Sequence, residues 1–291
     1  MDTPRRLPLQ ITPSDRLDGV VPGVRGHRAF PTRRGIRNAD PFLMLDHIGP
    51  QRIDPTRVID GKPHPHRGFE TVSIILAGSL EHVDSLGNRV TLRAGDLQIM
   101  HAGRGILHGG DMRPDPNTGE FHEFQLWVDV ESARKGSPPQ VRNVRADAVP
   151  AVNEHGTMVR VLCGGYGDTT ATAATLTPTT VLHATMPRGG SWTPQALGAD
   201  RRVLLYVIGG ALTLAGHRAA ATQTLDLGRG FAPGPLTAGR DGAECLVLAG
   251  RPLEQPVVFG GPFVMNTQAE IERAFADYAA GAFGSIPPAP G

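Results

Sequence analysis

Apolar positions along this chain recur mostly with a period of two, in short runs that stop at glycine, proline or a charged residue. Thr71-Val72-Ser73-Ile74-Ile75-Leu76 is rich in β-branched residues and ends at Ala77-Gly78, which predicts a strand and a turn. Ser79-Leu80-Glu81-His82-Val83-Asp84 alternates, Ser85-Leu86-Gly87-Asn88 reads as a hairpin turn, and Arg89-Val90-Thr91-Leu92 returns. Ala94-Gly95-Asp96 turns again into Leu97-Gln98-Ile99-Met100. Upstream, Phe42-Leu43-Met44-Leu45-Asp46-His47-Ile48 is an apolar strand between prolines. Downstream, Phe121 to Val130 is a strand whose alternation puts His122, Phe124 and Leu126 on one face. His47, beside Asp46, reads as a structural hydrogen-bonder, and His82, flanked by polar positions, is expected to face solvent.

The second half repeats this rhythm in Met158–Cys163, Thr180–Thr185, Val203–Ile208 and Ala211–Leu214. Gly209-Gly210 and Ala77-Gly78 each close an apolar strand and precede a weaker one, which indicates two copies of one unit. Between them residues 131–150 are polar and rich in Pro, Lys and Arg. A boundary is therefore expected there, giving domains 1–135 and 136–291. The tail from Thr267 to Ala280 is the clearest helix. Thr267 can cap it, Glu270 falls at the capping-box position, and Ile271, Ala274, Phe275 and Tyr278 form one stripe.

Composition agrees with many short strands. The 291 residues include 37 Gly and 26 Pro, more turn formers than long helices tolerate. A net charge of +1 with scattered basic residues argues against nucleic-acid binding. Cys163 and Cys245 each lie in an apolar stretch and are expected to be buried, reduced thiols. No apolar stretch has membrane-span length, and Met1–Arg6 is not followed by an apolar signal region, so a cytoplasmic protein without a membrane partner is expected.

The chemistry concentrates between residues 64 and 108. In His64-Pro65-His66 two imidazoles two residues apart on an extended segment point the same way, a natural start to a metal site. His108 follows after strand, turn and strand, and a small barrel would let all three rings converge inside it. The glycines of His101-Ala102-Gly103-Arg104-Gly105 mark the bend that returns His108. Their spacing matches neither the P-loop nor the dinucleotide fingerprint. The second copy has no His-x-His pair, so any metal belongs to the first.

At these residues the chain resembles the pirin family of bicupin proteins. The resemblance is carried by Asp40-Pro41-Phe42-Leu43 with Leu45-Asp46-His47, by His64-Pro65-His66-Arg67-Gly68-Phe69-Glu70-Thr71-Val72, and by Gly95-Asp96-Leu97-Gln98. Ala102-Gly103-Arg104-Gly105-Ile106-Leu107-His108, Gln125-Leu126-Trp127-Val128, Gly261-Pro262-Phe263-Val264-Met265-Asn266-Thr267 and Tyr278-Ala279-Ala280-Gly281-Ala282-Phe283-Gly284 extend it over about residues 25–285. It implies an all-β bicupin fold: two stacked antiparallel β-barrels of the jelly-roll type and a short C-terminal helix. It also implies one divalent metal in the N-terminal barrel, iron before nickel, copper, zinc or manganese.

In such relatives three histidines and one glutamate bind the metal. His64, His66 and His108 match the histidines, but Gly110 stands where the glutamate is expected. Glu70, His101 and Asp111 are the candidates to compensate as ligands, and Glu70 and Asp111 are also the candidate catalytic bases. Phe69, Met100, Phe124 and Trp127 are expected to line a pocket. The resemblance implies either quercetin 2,3-dioxygenase activity on a small aromatic substrate, or a metal- or redox-dependent regulator that binds a partner protein. A degenerate cupin that has lost its metal is the third reading.

Overall fold

The computed structural model describes residues 9–21, 23–231 and 234–288. It is built of antiparallel strands with one α-helix, Gln268–Ala279, near the C-terminal end. Two compact units interleave along the chain. One gathers Asp15 and the described residues before it, His27–Pro41 and Asp147–Pro252; the other gathers Arg16–Gly26, Phe42–Ala146 and the residues from Leu253 on. The sequence predicts a single cut after residue 135, with the helix in the C-terminal domain. By contact density the helix belongs instead with Phe42–Ala146, because the chain returns to that unit after Pro252.

The histidine-bearing unit has two main sheets and a two-stranded pair, Val258–Gly260 with Phe263–Met265. In the larger, Gln140–Val144, Leu97–His101, Phe69–Ala77, Glu120–Asp129 and Phe42–Arg52 run side by side in that order. In the smaller, Met112–Arg113, Ser79–Asp84, Ile106–Gly109 and His64–His66 follow one another, with Arg89–Arg93 beside Ser79–Asp84. The expected hairpin over residues 85–88 joins those last two strands, with Val83 opposite Arg89.

The inward face follows from register and packing together. Ile48 pairs directly with Glu123 across the larger sheet, and Ile48 packs with Leu80 and Met112 of the smaller one. Side chains alternate along a strand, so Glu123, Gln125 and Trp127 share the face turned toward the smaller sheet. In the smaller sheet His108 is paired with both His64 and Asp84, which puts these three on one face and His82 with them by alternation.

The C-terminal segment is tied to the His64-x-His66 strand. Val264 N donates to Arg67 O at 3.0 Å, and Arg67 forms a parallel bridge with Phe263. The Arg67 guanidinium makes a 2.5 Å ion pair with Asp277 on the helix and lies 5.8 Å from the centre of the Phe283 ring. Gly68 is needed between them: its φ is +89° and a Cβ there would stand 2.1 Å from Val264 O. The helix carries the predicted capping box between Thr267 and Glu270. Of the expected stripe, Ile271 and Ala274 are buried, while Phe275 and Tyr278 stay largely exposed and touch Phe263 and Phe283 with their rings.

Lys135 anchors the same region from within. Its ammonium is buried and donates to Asp129 at 2.5 Å, to Gly68 O at 2.7 Å and to Val264 O at 3.3 Å. Gln255 donates to the other carboxylate oxygen of Asp129 at 2.8 Å.

The other unit is built on one large sheet, with a small two-stranded pair, Gly165–Tyr166 and Thr169–Thr170, beside it. Gln10–Pro13, Gln223–Arg229, Arg202–Leu214, Leu236–Gly250, Thr179–Met186, Thr157–Cys163 and Ala151–Glu154 are neighbours in that order. Its core is a single apolar cluster of Val, Leu, Ala and aromatic residues. Cys163 and Cys245 are free and buried, as expected. Among the described residues no helix is long and apolar enough to cross a membrane.

Replacing Lys135 by Met leaves the Asp129 carboxylate buried without its counter-charge. Such a removal costs about 3–5 kcal/mol, so denaturant unfolding of Lys135→Met should show a midpoint loss of that order.

Candidate metal centre

The register of two short strands builds the cluster. Ile106–Gly109 pairs antiparallel with His64–His66 so that His108 faces His64 and Ile106 faces His66. Residues directly opposite, and residues two apart, share a face, so the three rings meet on the inward side. Ring centroids of His64 and His108 are 4.3 Å apart, those of His64 and His66 4.9 Å, and those of His66 and His108 5.0 Å. One nitrogen from each ring lies within 4.8 Å of the others.

Backbone carbonyls orient two of these rings. His64 Nδ1 donates to Lys62 O at 2.9 Å and His66 Nδ1 donates to Pro262 O at 3.1 Å. A proton held on Nδ1 leaves the Nε2 lone pair free, which is how outer partners prepare a histidine for a metal. His108 Nε2 is buried and has no hydrogen-bond partner among the described residues. Burial pushes His66 down to about 3, the neighbouring His64 adds to the fall and the Pro262 carbonyl opposes it. His108 is likewise held well below its ordinary value, by burial first and then by His66, His64 and His82. Both rings are therefore neutral at physiological pH, the state in which imidazole ligates a cation. The donor set, its fixed tautomers and the orphaned Nε2 fit a divalent metal.

The expected compensating groups do not join the cluster. Phe69 packs its ring on Trp127 at 4.2 Å and on His66 at 5.2 Å, so Glu70, the next residue of the strand, faces the other way. His101 is paired with Glu70 across the sheet and lies on that same far face, where its Nε2 meets Ser137 Oγ at 2.7 Å. Asp111 is beyond the end of its strand, partly exposed, with Arg113 at 3.6 Å. Among the described residues only His64, His66 and His108 form the group.

Of the expected lining residues, Phe69 and Trp127 touch His66. Met100 pairs with Thr71 on the Phe69 face and packs with Ile106. Phe124 is an odd number of residues from Trp127 and faces away, stacked on His47 at 4.3 Å. His47 does act as a hydrogen-bonder, but toward His122 at 2.8 Å.

The backbone at Gly110 excludes any side chain. Its φ is +138°, and a Cβ would stand 2.0 Å from Glu81 O and 2.6 Å from Glu81 C. Gly110 N donates to Gly61 O at 2.8 Å, and Glu81 N donates to Asp111 O at 2.7 Å. The backbone at Gly61 and at Glu81 thus closes on the position, and a carboxylate cannot occupy it without moving the Ser79–Asp84 strand.

Two inward groups escape the sequence reading. His82 does not face solvent: it is buried, donates to Asp84 at 2.8 Å and has its ring 5.4 Å from that of His108. Polar neighbours in sequence disguised it, because inward positions of this barrel are themselves polar. Glu123 is buried on the same inner face as Trp127, and its Oε2 has no hydrogen-bond partner among the described residues. Burial alone raises it to about 7.

Two expectations follow from these contacts. Gly110→Ala meets both a left-handed φ and a backbone clash, so it should lower stability by about 2 kcal/mol or more in denaturant titration. For Glu123 the folded pKa is raised above the usual 4.5, so the folded state binds the extra proton and stability falls as pH rises from about 4.5 to about 7. Glu123→Gln should therefore be more stable than the parent at pH 8, by up to about 3 kcal/mol, with the difference vanishing near pH 4.

Comparison with known proteins bears on the whole chain. Residues 23–128 match the Pirin family model and residues 181–284 the Pirin C-terminal cupin domain. A Pseudomonas aeruginosa protein named "Putative quercetin 2,3-dioxygenase" is 41% identical over 82% of this chain and 85% of its own. Human "Pirin" is 32% identical over 96% of this chain and 93% of its own. A crystal structure of quercetin 2,3-dioxygenase from Acinetobacter baumannii superposes with a TM-score of 0.87 at 33% identity, covering 96% of this chain and 98% of that one. Family models that together match well over half of the sequence, agreeing with the barrel fold and the histidine cluster, place this chain in the pirin family of cupins.

Proposed function

We propose that this pirin-family cupin holds one divalent metal, iron in first place, on His64, His66 and His108, and acts as a quercetin 2,3-dioxygenase-type oxygenase on a flavonol or similar aromatic. The observation that carries the reading is the set of three converging imidazoles, two of them with Nδ1 fixed on backbone carbonyls. The relatives named for quercetin oxygenation support the reaction class.

When bound, the metal supplies Lewis acidity that lowers the proton affinity of a hydroxyl oxygen, together with open coordination positions. The chain's own residues do the rest. His66, Phe69 and Trp127 form a wall of edge-to-face and tilted rings, which suits the flat face of an aromatic substrate. His64 is exposed while His66 is buried, so the cluster is approached from the His64 side. Met100 and Ile106 close the floor behind His66 with apolar surface, which keeps water from that side.

The test is anaerobic loading with iron followed by quercetin. Substrate should be consumed, with release of carbon monoxide, only when air is admitted. His66→Ala should lose bound metal and at least about a hundredfold in rate. Consumption no faster than with free iron would remove the enzymatic reading.

A further inference from the structure

We propose that this metal centre is completed by an exogenous anion in place of a protein carboxylate, so that metal and anion bind cooperatively. The inference rests on the three-histidine reading above and names the ligand class that such a site takes. The ligand is an oxyanion or enolate-like anion that also offers an acceptor to the Trp127 indole.

The argument begins with charge. All three donors are imidazoles, which ligate a metal in their neutral form, and a divalent cation among them keeps its full charge inside a barrel, where an uncompensated charge is costly. No carboxylate of the described residues joins the cluster, and that holds for Glu123 as well, although it lies on the inward face with Oε2 unpaired. Glu70 faces the opposite side of its strand from Phe69. Asp111 lies beside Arg113. Asp84, on the inward face, takes hydrogen bonds from His82 Nε2, Leu86 N, Asn88 N and Asn88 Nδ2. Position 110 admits no Cβ, since Glu81 O would be 2.0 Å from it. A shell of three imidazole donors that no carboxylate of the described residues joins is matched by an anion brought from solution.

A second observation points to the same ligand. The Trp127 Nε1–H is buried and has no acceptor among the described residues, and its ring stands 5.3 Å from that of His66. A buried donor left unpaired costs about 1–3 kcal/mol, which an acceptor atom arriving beside His66 would recover. His108 Nε2 is orphaned in the same way. Both rings neighbour His66, so their unpaired nitrogens can be satisfied together by a cation and the anion that accompanies it.

The experiment uses the full-length protein with cobalt(II) as the metal probe and azide as the anion. Cobalt(II) is titrated in 100 mM sodium perchlorate and again in 100 mM sodium azide, following both the heat and the visible absorption. Linkage requires that an anion binding only the metal-loaded form tighten metal binding. The expected result is at least tenfold higher cobalt affinity in azide, with a shifted visible spectrum, and a gain cut to threefold or less in Trp127→Phe. Cobalt bound equally tightly in both salts, with one spectrum, overturns the anion inference and leaves the three-histidine site standing. No cobalt binding in either salt overturns the three-histidine reading and this inference with it.

Discussion

The constraint on which this molecule depends is that three imidazoles must stay close together and correctly turned inside a β-barrel. Burial alone keeps protons off His66 and His108, but it does not aim the rings. Aim comes from hydrogen bonds at Nδ1, and for His66 the acceptor is the Pro262 carbonyl, 196 residues along the chain. The last segment of the chain is therefore part of the site's construction. Its parallel bridge to Arg67, the Arg67–Asp277 ion pair and the Lys135 ammonium shared by Gly68 and Val264 all hold that carbonyl over the ring. The interleaving of the two units has this consequence: the strand that carries two of the histidines is finished by residues that follow the whole of the other sheet.

The inner face of this barrel is polar to an unusual degree, with His82, Asp84, Glu123 and Gln125 all turned inward or buried among its strands. Buried polar groups require partners, and most have them: Ser73 Oγ donates to Gln125 at 2.7 Å, and Gln98 Nε2 donates to Asn143 at 2.8 Å. Exceptions on this unit's inner surface are His108 Nε2, Trp127 Nε1 and Glu123 Oε2, while Arg67 Nε, His101 Nδ1 and five side chains of the other unit are also unpaired among the described residues. The other unit spends its inward positions on an apolar core of Val, Leu and Ala. The two units thus differ in their interiors, one packed with apolar side chains and the other carrying buried polar groups beside its histidines.

Much of this could be read from the sequence because it depends on local patterning. Period-two alternation marks the strands, the hairpin at 85–88 follows from its turn residues, and the Thr267–Glu270 capping box marks the start of the helix. The His64-x-His66 pair had to share a face on an extended strand whatever the fold, and the bend at Gly103–Gly105 pointed to the return of His108. The family resemblance rested on motifs of the same local kind.

What lay beyond the sequence was everything fixed by which strand pairs with which. Glu70 and His101 are adjacent to site residues in sequence, yet their cross-strand register places both on the far face. Alternation sets Glu123 opposite to Phe124, which stacks on His47, but only the opposing sheet makes Glu123's side the interior. His82 looks solvent-facing in a polar alternating strand, and only the opposing sheet makes that side the interior. The missing carboxylate at Gly110 is visible as a letter, but that nothing can be put back there is a fact about Glu81's carbonyl, 2.0 Å from where a Cβ would go. Alternation along one strand is set by the chain's own stereochemistry, so the sequence determined the strands, the helix and the paired histidines. Which face is inside, which carbonyl turns a ring and which position has room are set by distant strands meeting, and only the tertiary structure decided them.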